Sequence, residues 1–108
     1  MRRNYLPKPE TRLIHKILEE LGRNFPSSYF RKIHGNPYQH AGIPDLVGCV
    51  EGFFIGLEVK TDTGETSKIQ ELEGIAILHA GGIHAVVRSP EDAVKIIKNQ
   101  LIRLEAKE

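Results

Sequence analysis

Three side chains in this sequence have the types and spacing to act together: Asp45, Glu58 and Lys60. Asp45 ends the segment Gly42-Ile43-Pro44-Asp45 at the mouth of one apolar run, and Glu58-Val59-Lys60 closes the next. Between the runs, Glu51-Gly52 reads as a tight turn. In a two-residue antiparallel hairpin centred there, Val50 pairs with Phe53. Counting outward, Asp45 comes directly opposite Glu58. Opposed side chains in such a ladder have Cβ atoms about 5 Å apart, where like charges are destabilising. Lys60 falls on the same face as Glu58, because side chains alternate with period two. A hard divalent cation between the carboxylates removes the repulsion. Its donors would be Asp45, Glu58 and the main-chain carbonyl of Val59. Oxygen donors completed by water suit Mg²⁺ or Mn²⁺, not Zn²⁺. Such an ion polarises a phosphoryl oxygen and acidifies water. Lys60 could orient that water or stabilise charge building on the phosphate. The chemistry is phosphodiester hydrolysis. The plainer alternative is an aspartate at a strand start and a Glu-x-Lys exposed at a strand end. The hairpin register favours the site, with one vulnerable point. Glu51-Gly52 is not the favoured Asn-Gly turn, and a bulge would carry Asp45 off the face of Glu58.

The elements around this hairpin can be read from pattern and caps. Pro9-Glu10 opens a helix, with proline in the first turn and an acid suited to the helix dipole. Leu13, Ile14, Ile17, Leu18 and Leu21 give it an apolar stripe, and Gly22 is the expected stop. Glu10 lies near the edge of that stripe, from which it could reach a site on the sheet. A strand is expected from Tyr29 to His34, then a loop rich in turn residues leading into Asp45. Leu46 to Val50 and Phe53 to Val59 carry apolar residues on both faces, with Val47, Cys49 and Phe54 on one. The expectation is a hairpin covered on both sides. Ser67-Lys68-Ile69-Gln70 has the form of a capping box, and the helix it opens ends at Gly81-Gly82. Ile83 to Val87 is a short strand, and Ser89-Pro90-Glu91-Asp92 starts the last helix. Val94, Ile97, Leu101 and Leu104 form its stripe. A strand, a crossover helix and another strand imply a parallel pair. The expected fold class is α/β, in the order α-β-β-β-α-β-α, with a central mixed sheet flanked by helices.

Composition fits one globular domain over residues 1–108, of which 1–8 form a basic arm. No apolar run approaches the length of a membrane helix, and no apolar segment follows Met1-Arg2-Arg3 to make a secretory signal. The single cysteine, Cys49, cannot form an internal disulfide. It reads as a buried, inert thiol of a reducing compartment. The net charge of +1 is unevenly placed: residues 1–40 hold eight Lys/Arg against three Glu, and residues 41–108 hold seven against eleven Asp/Glu. The basic half offers a surface for a polyanion.

The ordered set of Gly42-Ile43-Pro44-Asp45, Leu57-Glu58-Val59-Lys60, Gln70 and Ala80-Gly81-Gly82 closely resembles the virus-type replication-repair nuclease (VRR-NUC) domain of the PD-(D/E)xK nuclease superfamily. The resemblance runs from Glu10 to about Ala93. It implies a restriction-endonuclease-like core and a metal-dependent nuclease. Asp45 and Glu58 match the family's metal-binding acids, Lys60 its catalytic lysine, and Gln70 the glutamine of the following helix. Glu10 matches, by position, the acid of the first helix and a further candidate for the metal. Free-standing proteins of this size resemble phage and bacterial enzymes of replication and repair that act as dimers on branched DNA, Holliday junctions in particular. Such a role implies Mg²⁺ or Mn²⁺, DNA as partner, a homodimer, and a place in a bacterial cytosol or, for a phage protein, that of its host. Two active sites suit a symmetric cut, and a twofold dimer presents them most simply. Ile96, Ile97 and Ile102 are candidates for the interface, or for the core.

Other residues have weaker claims. Arg31, Lys32, His34, Lys68 and Arg88 are candidate DNA contacts. Lys68 stands out because a helix N-terminus favours anions. Tyr29, Phe30 and Tyr38 could stack on unpaired bases, although Phe30 reads better as a core residue. His34, His40 and Cys49 follow no standard zinc spacing. Two rival functions stand beside junction cleavage. One is a general or end-processing nuclease, and the other a non-catalytic DNA-binding module of the same fold. A broken acid or lysine would favour the module, and all three are present.

Overall fold

The computed structural model describes residues 8–35 and 40–107. The expected basic arm, apart from Lys8, and Tyr38 lie outside them. The elements are α1 (Pro9–Asn24), β1 (Tyr29–Lys32), β2 (Leu46–Val50), β3 (Phe53–Val59), α2 (Lys68–His79), β4 (Ile83–Val87) and α3 (Pro90–Glu105). Their order is the expected α-β-β-β-α-β-α. The sheet runs β1-β2-β3-β4. Its first two pairings are antiparallel and β3–β4 is parallel.

The hairpin register follows from its turn. Glu51 (φ 52°) and Gly52 (φ 86°) are both left-handed, the backbone of a type I′ turn, whose twist matches the flanking strands. Val50 then pairs with Phe53 and the ladder proceeds without a bulge to Leu46 opposite Leu57. The helix ends also follow local chemistry. Ser67 and Gln70 form the reciprocal capping box. At the other end of α2, Gly81 (φ 93°) donates to Leu78 and Gly82 to Ile77, the paired bonds of a Schellman motif. Ser89 caps α3 by accepting the Asp92 N–H. Gly22 does not stop α1, which runs on to Asn24. There the Asn24 side chain donates to the Glu20 carbonyl.

One face of the sheet carries the core. Ile55, Leu57 and Val59 of β3, Leu46 and Val50 of β2, Phe30, Ile83 and Val87 are all buried. They cluster with Ile14, Ile17 and Leu21 of α1 and Ala93, Ile97 and Leu101 of α3. Ile97 is therefore a core residue and not available for an interface, whereas Ile96 is partly buried and Ile102 exposed.

The opposite face is served by α2 alone. That helix packs chiefly against β4, so it does not reach the β1–β2 half of the sheet. Two expectations are corrected by this. The hairpin is covered on the α2 side only at its open end, where Gly56 and Glu58 are buried, and toward the turn Phe54 is exposed. Cys49 is exposed as well, because its position on β2 points to the side that α2 leaves open. The helix also buries only Gly74, while Ile69, Leu72, Ile75 and Leu78 are each about half exposed. Apolar residues on every side of a helix are the pattern of a buried one. Among the described residues, no helix is long and apolar enough to cross a membrane.

Candidate active site at the open end of the hairpin

Side-chain alternation sends Phe54, Gly56 and Glu58 of β3 to the α2 face, with His84 and Val86 of β4 beside them. The segment before β2 is shaped to fit under α2. Gly42 has a φ of 86°, and a Cβ there would lie 2.6 Å from the Ile69 side chain. Pro44 is buried over Gly56, where an added Cβ would meet the proline ring at 2.8 Å. These contacts deliver Asp45 to the end of the ladder. Its main-chain carbonyl accepts the Ile33 N–H at 2.9 Å, and its Oδ2 accepts the Val59 N–H at 2.8 Å. Asp45 is thus bonded to the residue that separates Glu58 from Lys60. A charge-assisted bond of this kind contributes about 1.5–3 kcal/mol.

Glu58 is fully buried at 0% exposure. Gln70 Nε2 donates to its Oε1 at 2.9 Å, and His84 Nε2 lies 3.5 Å from its Oε2. Gln70 has two attachments, because its own Oε1 accepts the Ser67 N–H of the capping box at 2.9 Å. The start of α2 is thereby tied to the acid on β3. Lys60, half-buried at the end of β3, donates its N–H to Val87 at 3.0 Å. Gly64 of the following loop lies over the lysine stem. Arg88 reaches across the same loop and donates to the Thr61 carbonyl at 2.7 Å. An open polar cleft lined by Glu65, Thr66, Glu71, Val86 and Arg88 runs alongside.

The remaining expected residues are distributed as follows. Glu10 is exposed in the first turn of α1, and Lys68 is exposed at the start of α2. Arg31 shares the α2 side of the sheet with Tyr29 and stacks on its ring at 4.1 Å. Lys32, the next residue, projects to the other face of β1. The strand ends at Lys32, so His34 lies beyond it and is exposed. His40 Nε2 lies 3.4 Å from Glu73 of α2. Among the described residues, no three or more His, Cys, Asp or Glu side chains gather as a metal cluster.

A cation at the hairpin end would have as donors the carboxylates of Asp45 and Glu58 together with main-chain oxygen. That set fits a hard cation such as Mg²⁺ or Mn²⁺ and does not fit zinc. Glu58 itself is held from both sides, with Gln70 on Oε1 and His84 on Oε2.

Sequence reasoning missed His84, which stands in a short apolar strand with no motif around it. Two signals could have found it. It has the parity of the site face of β4, and Gly74 is an unexplained glycine inside a helix.

No family model matches the sequence, and no curated protein matches it. A search of solved structures finds a chain described as a VRR_NUC domain, with a TM-score of 0.60 and 22% identity. The match covers 82% of this chain and 94% of that one. The architecture, including the order α-β-β-β-α-β-α and the four-stranded mixed sheet, is that of the VRR-NUC nuclease fold.

Proposed function

We propose that this chain, which carries the fold of a VRR-NUC domain, is a Mg²⁺- or Mn²⁺-dependent endonuclease that hydrolyses phosphodiester bonds in branched DNA as a homodimer. The observation that carries the reading is the end of the hairpin. There Asp45 is bonded to the backbone beside Glu58, Glu58 is buried and held by Gln70, and Lys60 follows on the same strand.

The residues take the following roles. Asp45, Glu58 and the Val59 carbonyl would hold the ion, and Glu10, exposed in the first turn of α1, would serve as a contact to its water. When bound, the ion polarises a phosphoryl oxygen and acidifies water. Gln70 fixes the carboxylate of Glu58. Lys60 sets its ammonium against the charge that builds on the phosphate during attack. Arg31, Lys32, His34, Lys68 and Arg88 are offered as DNA contacts, with Lys68 at the helix terminus and Arg88 beside the cleft nearest to the site. Contacts of this type position a backbone and carry no base sequence, which suits recognition by shape.

The dimer is supported by α2. Its half-exposed side chains Leu72, Ile75 and Leu78, with the free part of Ile69, make an apolar surface next to the site, and surfaces of that kind mark interaction sites. A second copy there would place two sites on one assembly acting in a bacterial or phage-infected cytosol.

The test is metal-titrated cleavage of a four-way junction, a flap, single strands and linear duplex. The expected result is metal-dependent cutting with the junction preferred. Preference for linear duplex or for ends would replace the junction reading with a general nuclease. No cleavage under any condition, with DNA still bound, would leave a binding module.

A further inference from the structure

We infer that His84 is a positioning residue for Glu58 and that Gly74 is glycine in order to seat it. The inference rests on the proposed metal site and adds residues that no motif assigns. Glu58 has two carboxylate oxygens and two different neighbours. Gln70 Nε2 holds Oε1 at 2.9 Å. The His84 imidazole, its side chain only 10% exposed, stands 3.5 Å from Oε2 on the opposite flank. The terminal torsion of a glutamate is broad and sets the carboxylate plane weakly by itself. A neighbour on each oxygen narrows it, so the acid is presented in one orientation.

The place of His84 is set by α2. Gly74 is the buried residue of that helix. A Cβ added there would lie 2.4 Å from His84 Nδ1 and 2.5 Å from Cε1, closer than real side chains approach. Glycine inside a helix is destabilising relative to alanine, and here the imidazole ring occupies the space an alanine methyl would need. Gly74, His84 and Glu58 therefore form a chain of contacts from helix to strand to strand. Partners of this kind, which orient a ligand without touching the ion, typically change metal affinity about 10–100-fold when removed.

The test uses Mn²⁺ alone, with free Mn²⁺ followed by electron paramagnetic resonance, alongside cleavage kinetics and thermal melting. His84→Phe fills the space without a donor. His84→Gln keeps an N–H donor. Gly74→Ala keeps both His84 and Glu58 but displaces the ring. The expected result is a loss of Mn²⁺ affinity of about tenfold or more in His84→Phe and Gly74→Ala, with affinity largely restored in His84→Gln. Melting of His84→Gln and His84→Phe should be similar, which separates positioning from packing. Wild-type Mn²⁺ affinity in His84→Phe would overturn the inference. Asp45→Asn separates the two levels of failure. If it abolishes binding while His84→Phe does not, only the role of His84 falls. If Asp45→Asn binds Mn²⁺ like the wild type, the site assignment falls and the inference with it.

Discussion

On one face of the sheet, Ile55, Leu57 and Val59 of β3 share a core with α1 and α3; on the other, Gly56 and Glu58 of the same strand meet Ile77 and Gln70 of α2. The first face is closed by two helices over a continuous apolar cluster. The second is covered by one helix that buries a glycine and leaves its larger apolar side chains half exposed. Close packing on the core face supplies the free energy that holds the strands in place. The α2 face then keeps a buried acid, two polar neighbours and a short-range fit of Gly42 and Pro44. Stability and the proposed chemistry are thus divided between faces, and substitutions on each should report separately.

The largest expected effect is on the α2 face. Asp45→Asn or Lys60→Ala should lower cleavage by about 10²–10³-fold, with Lys60→Ala melting close to wild type. Equal activity in either would remove the residue from the site. On the core face, Ile17→Ala should cost about 2–5 kcal/mol in denaturant unfolding, while cleavage per folded molecule is kept. A matching loss of activity would break the division between faces. Gln70→Ala belongs to both sides, since it removes the capping-box partner and the bond to Glu58. It should destabilise by about 1 kcal/mol and also weaken cleavage, whereas Ser67→Ala should show mainly the stability loss. Leu72→Lys should change monomer stability by no more than about 0.5 kcal/mol, as for surface sites. Light scattering should show the dimer giving way to monomer, and an unchanged dimer would move the interface off α2. The smallest effect is expected at the turn. Glu51→Asn should stabilise by about 0.5 kcal/mol, because asparagine tolerates the left-handed backbone better.

What could be read from the sequence was what short-range chemistry determines. The hairpin register follows from two turn residues. The ends of α2 and α3 follow from Ser67, Gln70, Gly81 and Ser89, and the core stripes of α1 and α3 from their periodicity. The pairing of Asp45 with the end of β3 came from the same count. What could not be read depends on how far one element extends over another. Cys49 was expected inside because its strand is apolar, but its exposure is decided by the lateral reach of α2. His84 is not legible because the β3–β4 pairing is parallel and has no turn to fix its register. Periodicity alone suits Ile97 to core or interface, and only the cluster that α3 shares with α1 decides for the core. Gly22 looked like a stop, yet the bonds of Asn24 carry the helix past it.

The double attachment of Gln70 has a consequence for the order in which the molecule comes apart. Helix ends open more readily than sheet centres, and such local openings occur well below the global unfolding free energy. The first turn of α2 is an exposed helix end with a single side chain joining its cap to Glu58. Each time that turn frays, the buried acid loses its nearest donor while β2 and β3 remain paired. Heat or mild denaturant should therefore silence the protein before it melts.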